Sequence, residues 1–129
     1  MKVSRLYNPL TVVAHPWEDL SEAARRMTRN DVGSLAIYAH GQLAGILTER
    51  DLTRAVADGV DLTRTTVEEY MTTEPETASP DTDARDAAIT MLGLGVRHIP
   101  VIADHTLLGV LSIRDVLEDL VWTGEVRSA

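Results

Sequence analysis

Gly45-Ile46-Leu47-Thr48-Glu49-Arg50-Asp51-Leu52 recurs, 64 positions later, as Gly109-Val110-Leu111-Ser112-Ile113-Arg114-Asp115-Val116. A glycine, an apolar pair, a hydroxyl residue and an aspartate three places on stand twice in one frame. The apolar pair has strand character. Thr48-x-x-Asp51 and Ser112-x-x-Asp115 suit a helix N-terminus, where the hydroxyl accepts from a backbone N–H and the acid faces the positive end of the helix dipole. The frame extends outward without a gap, so that residues 3–56 fall on residues 67–120. Val3/Val67, Ala14/Ala78, Pro16/Pro80, Asp19/Asp83, Ala23/Ala87, Ala24/Ala88 and Met27/Met91 are identical. So are Val32/Val96, Ala39/Ala103, Leu43/Leu107, Gly45/Gly109, Leu47/Leu111, Arg50/Arg114 and Asp51/Asp115. A period this long, in only two copies, indicates a duplicated small domain; solenoid repeats run at about 20–50 residues.

Each copy carries the same elements. Asp19-Leu20-Ser21-Glu22 has capping-box spacing, and Leu20, Ala23, Ala24 and Met27 then mark one helix face. Asp83, Ala84, Ala87, Ala88 and Met91 repeat it. Leu35–Ala39 and Leu43–Leu47 predict a strand pair around a His40-Gly41-Gln42 turn. Ile99–Ala103 and Leu107–Leu111, around Asp104-His105-Thr106, do the same in the second copy. A closing helix is expected from Thr48 to about Asp58, with Gly59 as its stop. Its counterpart runs from Ser112 to about Trp122, with Gly124 beyond. The predicted class is α+β, with each half an extended segment-α-β-β-α unit, residues 1–60 and 61–129, and a polar connector at Gly59 to Thr66. Halves of this size bury little surface alone and gain stability by covering each other.

The 129 residues carry a formal net charge of -8 and no Cys. That charge disfavours nucleic acid, which is met with basic surfaces, and an anionic membrane. The missing cysteines remove disulfides and thiolate chemistry. Met1-Lys2-Val3-Ser4-Arg5 is followed by no apolar run of signal-peptide length, and no stretch nears the roughly 18 apolar residues of a membrane span. A soluble cytoplasmic protein is expected.

The two signatures, with Val96-Arg97-His98-Ile99-Pro100-Val101 and the Met71-Thr72…Pro75 opening, resemble the cystathionine-beta-synthase (CBS) domain family over nearly the whole chain. The resemblance implies two tandem repeats packed sheet to sheet with pseudo-twofold symmetry, forming a Bateman module with two clefts between them. It implies a non-catalytic sensor of AMP, ADP or ATP, less often of S-adenosylmethionine or NAD-type nucleotides, that pairs as a homodimer and signals to a separate effector protein.

It also implies site residues. Asp51 and Asp115 would accept from ribose hydroxyls, with Thr48 and Ser112 beside sugar or phosphate. Arg50 and Arg114 would contact phosphate, and otherwise are solvated first-turn arginines. The backbone of Val13-Ala14 and Thr77-Ala78 would read the adenine edge, with Pro100 and Ile99 against the base. Arg97 and His98 stand where the first copy has Gly33 and Ser34, so the two sites should differ, and the Arg97 side should prefer the more charged phosphate tail. Ala36 replaces Pro100, and Tyr7-Asn8 replaces Met71-Thr72, in the matched positions.

His15, His40, His98 and His105 are scattered without metal-ligand spacing. There is no P-loop and no Gly-x-Ser-x-Gly elbow, and no nucleophile beside a base, so no enzyme and no metal is expected. Trp17 and Trp122 suit the core or a domain edge, or a dimer contact. The competing function is a scaffolding module whose clefts bind no nucleotide.

Overall fold

The computed structural model describes residues 1–9 and 12–122. A 3-10 turn at Val3–Arg5 leads into β1 (Asn8–Pro9), β2 (Val13–Ala14), α1 (Leu20–Asn30), β3 (Ser34–Ala39), β4 (Gln42–Thr48) and α2 (Glu49–Ala57). Then follow α3 (Val67–Tyr70), β5 (Thr72–Thr73), α4 (Ala84–Leu94), β6 (His98–Ala103), β7 (Thr106–Ser112) and α5 (Ile113–Trp122). The expected helix, strand, strand, helix order is present twice. Gly124 lies outside the described residues.

Local chemistry sets the boundaries. Asp19 caps α1 by accepting from the Glu22 N–H at 2.9 Å. The Glu22 side chain does not complete the box, because it pairs instead with Arg25 at 3.0 Å and Arg29 at 3.6 Å. Asp83 caps α4 through the Arg85 N–H. Leu20, Ala23 and Met27 on α1, and Ala84, Ala87 and Met91 on α4, are buried. The hairpins turn at His40-Gly41 (φ 54° and 77°) and Asp104-His105 (φ 50° and 63°). Two successive left-handed residues match the twist of paired strands. The expected three-residue turns shorten to two, since Gln42 already pairs with Ala39 and Thr106 with Ala103.

Two compact units result, Thr11–Pro75 and Met1–Leu10 with Glu76–Ala129. They depart from the linear halves at their ends. In the first, β2 lies parallel to β3 and the sheet order is β2-β3-β4-β5. In the second, the order is β1-β7-β6, and Ala78 bridges Val101 in parallel, as Ala14 does Ile37. Residues after the connector therefore complete the first sheet, and the N-terminal residues complete the second. Val67 is fully buried among Leu20, Met27, Leu35, Ile37 and Leu47. Val3 is fully buried among Met91, Ile99, Val101, Leu111 and Val116. The physical cause is an open strand edge on β4 and on β7, whose backbone groups need a partner.

The repeated glycine permits that pairing. A Cβ on Gly45 would lie 2.4 Å from the Thr72 carbonyl oxygen, and one on Gly109 would lie 2.0 Å from that of Asn8. Neither tryptophan enters the core, as Trp17 is 60% and Trp122 88% exposed. Trp17 stacks on His15 at 4.8 Å, and Trp122 ends α5.

Candidate ligand site at two helix caps

In each unit the last long strand runs straight into its helix, and a hydroxyl residue marks the junction. Thr48 accepts from the Asp51 N–H at 3.4 Å. Asp51 Oδ2 accepts from the Thr48 N–H at 2.9 Å and from its hydroxyl at 3.1 Å. Ser112 and Asp115 repeat the box, with Asp115 N–H to Ser112 Oγ at 3.1 Å and Ser112 N–H to Asp115 Oδ2 at 3.0 Å. The cap is thus the structural role of these residues. It also fixes a carboxylate that can accept from ligand hydroxyls, beside helix N–H groups that favour an anion.

The neighbouring strand brings the next residues in. Ser34 lies opposite Thr48, and His98 opposite Ser112. The Gly33 carbonyl accepts from the Glu49 N–H at 3.1 Å, and the Arg97 carbonyl from the Ile113 N–H at 2.8 Å. So Ser34, Thr48 and Asp51 form one group, and Arg97, His98, Ser112 and Asp115 form the other. Ser34 is buried, His98 half-buried and Arg97 exposed.

The two carboxylates differ. Asp51 is 5% exposed, and its Oδ1 faces the Arg54 guanidinium at 3.5 Å. Arg54 also donates to the Tyr70 carbonyl at 3.1 Å and lies 5.4 Å from the Tyr70 ring centre. The Tyr70 hydroxyl donates to Asp58 at 2.7 Å, which holds the phenol above its ordinary pKa. Asp115 is half-buried, and its Oδ1 meets no donor among the described residues.

The other candidates are placed as follows. Arg50 is exposed in the first turn of α2. Arg114 is exposed and paired with Glu118 at 3.0 Å. Ile99 belongs to the core of its unit, so Pro100, its neighbour in β6, faces the other side of the sheet, and it too is buried. The Val13 carbonyl accepts from Arg26 at 2.7 Å. Ala14 is fully buried on β2. Ala78 donates its N–H to Pro100 and accepts from Ile102, so its backbone is engaged by β6 while Thr77 is exposed. Arg54 and Tyr70 are the residues sequence reasoning missed. The first falls in the expected closing helix and the second between the Gly59 to Thr66 connector and the Met71-Thr72 opening, and only folding joins them.

Among the described residues no group of three or more His, Asp or Glu side chains gathers as metal ligands. No helix among them is long and apolar enough to cross a membrane.

Strand-to-helix caps built twice, once in each α+β unit, define a class, that of tandem repeats of one small domain. The family is shown directly: the CBS domain model matches residues 4–58 and 67–121, and the chain belongs to the CBS domain family. It is 36% identical to an uncharacterized 17.7 kDa protein of Acidianus ambivalens over 93% of this chain and 73% of that one. It superposes on the CBS domain NE2398 with a TM-score of 0.89 at 28% identity, covering 94% of this chain and 98% of the other. It superposes on the CBS domain pair of MJ0100, crystallised with 5'-methylthioadenosine and S-adenosyl-L-methionine, with a TM-score of 0.86 at 26% identity and 98% coverage of both chains.

Proposed function

We propose that this protein is a non-catalytic sensor that binds an adenine nucleotide at its helix caps and passes its state to a separate effector protein. AMP, ADP and ATP are the leading ligands, with S-adenosylmethionine and NAD-type nucleotides as the further class. The observation that carries this is the second cap. There Asp115 offers sugar hydroxyls a carboxylate oxygen that meets no donor among the described residues, while Arg97 and His98 stand beside the same helix start with donors for phosphate. The adenosyl ligands of the similar MJ0100 pair support the ligand class.

Pairing as a homodimer is part of the proposal. Leu117 (49%), Val121 (60%) and Trp122 (88%) leave α5 with an exposed apolar face. The matched first-copy residues are Thr53, Ala57 and Asp58. Apolar surface of this kind, with a tryptophan at its end, suits burial against a second copy.

Thermal shift with AMP, ATP, S-adenosylmethionine and NADH tests the sensor. A ligand that binds only the folded state raises the melting temperature with its concentration. The rise should shrink in Asp115→Asn. No rise with any of the four compounds would leave the scaffolding alternative, in which the cap bonds are the whole role of Thr48 and Asp51.

A further inference from the structure

We infer that Arg54 is the residue that makes the two caps unequal, by competing with the ligand for the Asp51 carboxylate. This rests on the caps being the ligand sites. A pair of ligand hydroxyls must donate to carboxylate oxygens. At Asp51, Oδ2 already accepts twice from Thr48, and Oδ1 faces the Arg54 guanidinium at 3.5 Å. That guanidinium is not loose. It also donates to the Tyr70 carbonyl and lies over the Tyr70 ring, and the Tyr70 hydroxyl is itself anchored on Asp58. An incoming hydroxyl therefore shares its acceptor with a cation held in place.

The second cap lacks every part of this device. In the 64-residue frame Glu118 stands for Arg54, Leu6 for Tyr70 and Trp122 for Asp58. Glu118 turns to Arg114 at 3.0 Å, leaving Asp115 Oδ1 without a cation among the described residues. The same backbone cap thus presents an ion-paired acceptor in one unit and, among the described residues, an unpaired one in the other. The Asp115 cap takes ligand first and the Asp51 cap binds it more weakly.

Calorimetric titration of the full chain with AMP, combined with native mass spectrometry for the count, tests this. Asp115→Asn should remove the tighter event and Asp51→Asn the weaker. Arg54→Gln should strengthen the weaker event about two- to fivefold, the scale of one displaced surface ion pair, and leave the tighter one unmoved. Glu118→Arg, at an exposed position that does not endanger folding, should weaken the tighter event by a similar factor. AMP binding that ignores both aspartate variants overturns the cap sites themselves, as does a titration in which AMP, ATP, S-adenosylmethionine and NADH all fail to bind. Binding that needs the aspartates but ignores Arg54→Gln and Glu118→Arg overturns the role of Arg54 alone. Weaker binding in Arg54→Gln also overturns it, since Arg54 would then be a ligand contact.

Discussion

At the scale of single residues, the repeated signature holds two kinds of information. Its hydroxyl and aspartate are legible in sequence, because a cap is a local device: Thr48 and Asp51 satisfy each other's backbone three residues apart. Its glycine is not local at all. Gly45 and Gly109 are small because a carbonyl from a distant segment rests where their Cβ would stand. Gly109→Ala should destabilise the fold by about 2 kcal/mol, the usual cost of forcing atoms into occupied space. Gly93, inside α4 with nothing within 4 Å of a Cβ, is the contrast. Gly93→Ala should stabilise by about 0.5–1 kcal/mol through helix propensity. Urea denaturation of both variants reads the two signs, and equal effects would contradict this account of the signature glycine.

At the scale of elements, helices and hairpins followed from periodicity and turn chemistry, while the short pieces did not. α3 spans four residues and β5 two, too few for any period to show. The sequence frame paired Val3 with Val67 and gave no sign of where each would be buried. Folding places Val67 among the residues of α1, β3 and β4, and Val3 among those of α4, β6, β7 and α5. Val3→Ala and Val67→Ala should each cost about 2 kcal/mol, from lost burial and the cavity left behind. Hydrogen exchange separates the two. Val3→Ala should loosen amides within residues 84–116, and Val67→Ala those within 20–55. The reverse pattern would mean that the leading segments fold with their own linear halves.

At the scale of the whole molecule, charge and apolar surface set association. Two copies that each carry a formal charge of -8 repel, so pairing needs an apolar face with few like charges across it. Leu117→Glu on α5 should shift the assembly toward monomer in sedimentation equilibrium, and Thr53→Glu at the matched place should not. An unchanged assembly in Leu117→Glu would remove this face from the proposed homodimer. The amino-acid sequence by itself determined the duplication, the α+β elements and the two caps, because all of these arise from spacings of a few residues or from one repeated frame. Only the tertiary structure decided which segment closes each sheet, and which carboxylate meets a guanidinium. Strand edges and ion pairs are satisfied by whatever folding brings near, and Tyr70 reaches Arg54 from 16 residues along the chain.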